Sequence, residues 1–170
     1  MTRVADKIWQ RVKQEVDDVF YLPGGMCAGL VDALGKSDLN AVCCLHEQGA
    51  GYAAVGYAQQ TGFGVCLTTS GPGATNAVTP CLAAWVDSVP VLFISGQVMG
   101  KWLRKKGMRS RGTQEGPTID IVSSITKKCG LAQGEKSALY YLDNFIKVSK
   151  AGRMGPVWLD ITMDAQNVEL

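Results

Sequence analysis

No apolar run in these 170 residues approaches the roughly 20 needed to cross a bilayer, and the longest, such as Cys81 to Val86, cover less than two helical turns. A membrane-spanning protein is excluded. Met1 to Gln10 carries Arg3, Asp6 and Lys7 with no apolar stretch behind a basic start, so it does not read as a secretory signal, and the chain is expected in the cytoplasm. Histidine is nearly missing, His46 being the single one, and the six cysteines (Cys27, Cys43, Cys44, Cys66, Cys81 and Cys129) include no CxxC pair. Without that spacing neither a zinc site nor a disulfide framework assembles, and reduced thiols buried in apolar segments are expected. A charge excess is also lacking: the net charge is +2. The exception is local, since Lys101, Arg104, Lys105, Lys106, Arg109 and Arg111 place six cations in eleven residues without an acid. The remainder, eleven bases against fifteen acids, is mildly acidic, which argues against nucleic acid as a partner. The basic stretch itself reads either as a solvated loop or as a trap for an anionic substrate.

What is present is a regular alternation. Ala5, Ile8, Trp9, Val12 and Val16 recur at helical spacing. Strands are predicted over Val19–Leu22, Ala41–Leu45, Gly64–Thr69, Val91–Ser95, Lys128–Leu131 and Val157–Ile161. Between them, helices are predicted over Ala28–Leu34, Glu47–Thr61, Gly73–Val86 and Ile119–Ile125, with a last one carrying Ala138, Leu142, Phe145 and Ile146 and stopping near Gly152. Strands that read as continuous apolar runs, such as VPVLFI, belong to a parallel sheet covered on both faces. The fold class is therefore α/β: a doubly wound, mostly parallel six-stranded sheet in one domain spanning residues 1–170.

In such sheets ligands bind beyond the carboxyl ends of the strands, in the loops Pro23-Gly24-Gly25, His46-Glu47-Gln48-Gly49, Ser70 to Asn76 and Gly96-Gln97. Gly71 and Gly73 suggest a dinucleotide loop, but Asn76 stands where the third glycine of GxGxxG belongs and the following strand ends in Ile94 and Ser95 rather than an acid. Glu47 is the only acid between Asp38 and Asp87. It either complements its helix dipole, worth about 0.3–1 kcal/mol, or is a buried carboxylate that exchanges a proton with a ligand nitrogen. Ala50, Ala53, Ala54 and Ala58, with Gly49, Gly51 and Gly56, give its helix small faces. These either pack on their own sheet or also meet a partner subunit, with the partner favoured.

LPGG at Leu22 to Gly25, HEQGAGYAAVGYA at His46 to Ala58, TSGPGATN at Thr69 to Asn76, DSVPVLFISGQV at Asp87 to Val98 and GPVWLDI at Gly155 to Ile161 occur in order. Together they resemble the pyrimidine-binding domain of thiamine diphosphate enzymes, closest to the acetolactate synthase group, from about Ala5 to Gln166. The resemblance implies that Glu47 bonds the pyrimidine nitrogen N1′ as the protein's acid/base group and that the substrate is a small 2-oxo acid, decarboxylated with or without carboligation. It implies Pro23 and Gly24 along the ring, Gly71, Pro72 and Asn76 on the loop beside it, and Gln114 facing the substrate. The bland alternatives are that Pro23 and Pro72 only shape turns, Asn76 only bonds its own helix, and Gln114 is a solvated loop residue.

The chain departs from the family at Thr113, where acetolactate synthases carry an aromatic residue, and in the length and charge of Lys101 to Arg111. It also holds no Gly-Asp-Gly, the family's motif for binding diphosphate through Mg²⁺. The resemblance therefore implies Mg²⁺ only through a diphosphate-binding domain supplied by another chain or by a missing remainder. The chain alone is then inactive, and a homodimer or higher oligomer forms through the Glu47 helix. Two alternatives remain open: the α subunit of a split sulfopyruvate-type decarboxylase, and a non-catalytic nucleotide- or metabolite-binding domain.

Overall fold

The computed structural model describes residues 2–170. Six strands, β1 (Asp18–Tyr21), β2 (Asn40–Cys43), β3 (Gly64–Thr68), β4 (Val91–Gln97), β5 (Lys128–Ala132) and β6 (Val157–Thr162), form one sheet in the order β2-β1-β3-β4-β6-β5. Every pairing is parallel. Among the described residues eight α-helices accompany them: α1 (Val4–Val12), α2 (Ala28–Leu34), α3 (Glu47–Thr61), α4 (Pro72–Asn76), α5 (Val78–Val86), α6 (Thr118–Val122), α7 (Glu135–Lys150) and α8 (Met163–Gln166).

Alternation along each strand divides the core in two. In β4, Leu92 and Ile94 face the layer of α1, α2 and α7. Val91 and Phe93 face α3 and α5, where Phe93 stacks on Trp158 with ring centroids 5.1 Å apart. Strands buried on both faces read as near-continuous apolar runs, which is why β3, β4 and β6, buried at every position, lack the polar alternation of a half-exposed strand. No helix among the described residues is long and apolar enough to cross a membrane.

Several elements differ from expectation. The helix predicted over Gly73–Val86 is two helices broken at Ala77. The acceptor at Asn76 would need the N–H of residue 80, and Pro80 has none, whereas in the first turn of α5 the proline is tolerated. The first helix stops at Val12, and Val16 is buried from the following turn. Leu45 lies outside β2 and is fully exposed, because β2 is an edge strand whose pairing with β1 ends at Cys43. Cys27, Cys66 and Cys81 are buried free thiols as expected, but Cys43, on that edge, is exposed. Burial pushes the Cys27 thiol up to about 11. The closing helix α8 and a short 3-10 turn at Gly25–Cys27 had no periodic signal to announce them.

That short turn is clamped from two sides. The Met26 carbonyl accepts the Gln166 amide N–H at 2.8 Å, and the backbone of Gly96 in β4 presses on it so closely that a Cβ there would lie 2.1 Å from the same oxygen. The obstructing atoms are backbone, so nothing can rotate away. Gly96→Ala is expected to cost about 2–4 kcal/mol, read as a lower urea midpoint at unchanged slope; an unchanged midpoint would mean that the turn yields freely.

Candidate active site

The chain order reverses between the neighbouring strands β1 and β3, since β1 leads outward to β2 and β3 returns on its other side. Loops splay apart at such a point and leave a crevice. Three loops meet there, and the side chain of Thr69 at the end of β3 stands between two of them. A Cβ on Gly24 would lie 2.4 Å from Thr69 Cβ, and one on Gly73 would lie 2.5 Å from Thr69 Cγ2. Thr69 Oγ1 also accepts the Met26 N–H at 3.3 Å. Two glycines thus allow both loops to close on one threonine.

Glu47 opens α3. Its predecessor His46 caps the helix, Nδ1 accepting the Gln48 N–H at 3.1 Å, so the only histidine serves local structure. The Glu47 side chain turns inward, leaving the residue 8% exposed. Its Oε2 accepts a hydrogen bond from Asn76 Nδ2 at 2.9 Å. Asn76 can reach it because α4 stops there. The other oxygen, Oε1, lies 3.0 Å from where a Cβ on Gly73 would stand, so the glycine leaves it room.

Gly71 adopts φ 53°, a left-handed conformation that glycine takes without strain. A Cβ on it would lie 2.0 Å from the carbonyl oxygen of Gln114. What Gln114 brings to the loop is therefore its backbone, held at φ 57°, while the residue itself is exposed. Pro23 and Pro72 are exposed. Glu47, Gly24, Gly71, Gly73 and Asn76 are thus brought together.

The sequence of this chain matches, over residues 2–121, the family described as thiamine pyrophosphate enzyme, N-terminal TPP binding domain. The chain belongs to that family. The acetolactate synthase large subunit of Corynebacterium glutamicum is 43% identical over 156 residues, which are 91% of this chain and 24% of that protein. The large subunit of Escherichia coli acetolactate synthase isozyme 2 is 39% identical over 157 residues, 90% of this chain and 27% of that protein. The mitochondrial acetolactate synthase catalytic subunit of Saccharomyces cerevisiae is 38% identical over 154 residues, 89% and 22% respectively. The chain spans about a quarter of the length of these curated relatives.

The residues of this TPP-binding domain fit an aminopyrimidine. A carboxylate bonded on one oxygen and without a hydrogen-bond partner on the other among the described residues suits a ring nitrogen, and the buried Ser70 hydroxyl on the loop after β3 is likewise without a partner among them. Sequence reasoning assigned no role to Thr69 or Ser70, although both lie within the TSGPGATN motif, because what they do depends on the facing loop. It also passed over Asp160, the one acid inside the apolar run of β6. Asp160 Oδ1 accepts from Ser95 Oγ at 2.7 Å and Oδ2 from Gln97 Nε2 at 2.9 Å, while Ser95 in turn accepts from Trp158 Nε1 at 2.8 Å.

Burial raises the Asp160 carboxyl to about 6, and the Ser95 and Gln97 hydrogen bonds only partly offset it. A carboxyl group that titrates higher when folded than unfolded binds extra protons in the native state between about pH 4 and 6. Stability from this group is therefore complete in acid and declines as pH rises through 6. The expected loss between pH 4 and 7 is about 2–3 kcal/mol, measured by urea unfolding, and Asp160→Asn should flatten the profile in that window.

Proposed function

We propose that this domain is the pyrimidine-binding part of an acetolactate synthase-like enzyme that decarboxylates a small 2-oxo acid, with or without carboligation to an acceptor. The observation that carries the reading is the inward-turned Glu47, tied to Asn76 through Oε2 and with no hydrogen-bond partner at Oε1 among the described residues. When bound, thiamine diphosphate supplies an electron sink for decarboxylation. The chain's own contribution is positional and acid/base. Asn76 orients the Glu47 carboxylate, Oε1 holds and exchanges a proton at the pyrimidine nitrogen, and the low exposure of Glu47 keeps water from competing for that proton. The Gly24 and Gly73 loops, seated on Thr69, bring backbone rather than side chain towards the ring.

The diphosphate end and its Mg²⁺ belong to a domain outside these residues. The chain's share of its relatives' length supports this, as does the lack of Gly-Asp-Gly. A partner subunit closes over α3. One face of that helix is spent inside the chain, where Ala50, Gly51, Ala54 and Ala58 are buried. Gly49, Tyr52 and Gly56 lie open on the other, with nothing within 4 Å of a Cβ placed on either glycine. Acceptor choice is to be sought at Thr113, which lines a cavity of about 380 Å³ with Met26, Val98 and Trp102.

The test uses the chain assembled with its diphosphate-binding partner, thiamine diphosphate and Mg²⁺. Glu47→Gln is expected to lower kcat by about 10²–10⁴-fold while calorimetry shows cofactor still bound, and Asn76→Ala should lower kcat less. Unchanged turnover of pyruvate and longer 2-oxo acids in the Glu47 variant would overturn the proposal.

A further inference from the structure

The sheet has a second place where the chain doubles back: after β4 it passes outward to β5 and returns to β6 between them. At the carboxyl ends of these three strands lies a cavity of about 610 Å³ that contains neither Glu47, Gly71 nor Asn76. Its floor includes Gln97, Asp160 and Thr118, and its rim is built by the basic loop, with Lys101, Arg104, Lys105 and Arg111.

The loop at this rim is held in shape. The Glu115 carboxylate accepts the backbone N–H groups of Arg104, Arg111 (2.7 Å) and Gly112 (3.2 Å). Partial burial pushes Glu115 up, but these three donors hold it below the usual carboxylate range. Arg104 pairs with Asp120. Glu115 and Asp120, both at the rim, are thereby engaged by groups of the loop. Lys101, Lys105 and Arg111 form no ion pair among the described residues. Two of these cations flank one ring: the Lys101 ammonium lies 5.7 Å and the Arg111 guanidinium 5.4 Å from the Trp102 centroid.

The floor adds an independent observation. Thr118 is 2% exposed, yet its hydroxyl has no hydrogen-bond partner among the described residues, which is costly for a buried polar group. The Gln97 amide is fully used, by Asp160, by the Gly116 carbonyl and by the Val98 N–H. Asp160 at the floor repels a second negative charge. An occupant must therefore carry its charge at the rim and a neutral hydrogen-bonding group below.

We propose that this cavity is a binding site for a small, multiply charged anion, with its phosphate or carboxylate groups held by Lys101, Lys105 and Arg111 and a hydroxyl directed to Thr118. The site is separate from the cofactor crevice but adjoins it. Gly116, which lines the cavity, packs so closely on the cofactor loop that a Cβ on it would lie 3.1 Å from Gly71 Cα.

Inorganic phosphate and citrate serve as the probes, the second carrying carboxylates and a hydroxyl together. Binding is read from Trp102 emission, with Trp102→Phe as the control for the other tryptophans, and from amide shifts at Gly100, Gly116 and Thr118. A saturable response is expected with both probes, or with one, which then identifies the anionic group. Lys101→Ala/Lys105→Ala should weaken binding about tenfold or more, and Thr118→Val should weaken citrate more than phosphate. Both exchanges spare the fold by their place, the lysines being exposed and valine matching threonine in shape, and far-ultraviolet circular dichroism verifies it. Glu47→Gln should bind as the parent does, so that failure here is distinguishable from failure of the catalytic reading. The proposal is overturned by no saturable response at about 10 mM of either probe, by equal binding in the double lysine variant, or by a response that sodium chloride reproduces at matched ionic strength.

Discussion

The arrangement depends on two missing side chains. Gly24 and Gly73 flank Thr69 from opposite loops, each at a distance where a single added carbon would collide with it. Because both are glycine, the loops after β1 and β3 settle on one threonine, α4 begins where it does, and Asn76 comes within 2.9 Å of Glu47. Close packing leaves no slack in such a place, so the carboxylate's position is set by backbone rather than by the flexible side chain that carries it.

The two halves of the sheet's carboxyl edge are organised differently. The crevice between β1 and β3 is made of glycine, small residues and one inward carboxylate, which suits a flat ring needing close backbone approach. The cavity beyond β4, β5 and β6 has long cations at the rim and, on the floor, the bonded Asp160 and Gln97 side chains together with the Thr118 hydroxyl, unpartnered among the described residues. Gly71 and Gly116 press together at their boundary. The basic loop, which has the composition of a solvated segment, is instead gathered around Glu115. One acid supplying acceptors for three backbone donors orders what charge repulsion would otherwise spread.

Much of this was legible in the chain. The limits of α3 coincide with its reading as Glu47–Thr61, because a capping residue, a first-turn acid and Gly62 in the left-handed region bracket it locally. All six strands were found, since apolar runs bounded by turn residues are a local signal. The break at Ala77 was also written in the sequence, through Pro80 four residues after Asn76, but it competes with an apolar periodicity that runs straight through it. The exposure of Leu45 was not legible, because nothing local says that β2 lies at an edge.

The sequence by itself determined the class of fold, the parallel sheet, the family and Glu47 as the group to watch, for each rests on spacing or on an ordered motif. Only the tertiary structure decided what Glu47 touches, that Thr69 is the post between two loops, and that Asp160 is buried against Ser95 and Gln97 from a strand more than sixty residues away. The reason is physical. Periodicity reports which face of an element is apolar, whereas a hydrogen bond or a close approach needs two backbones to be placed independently of each other. That placement comes from sheet order and glycine contacts, neither of which has a local signature.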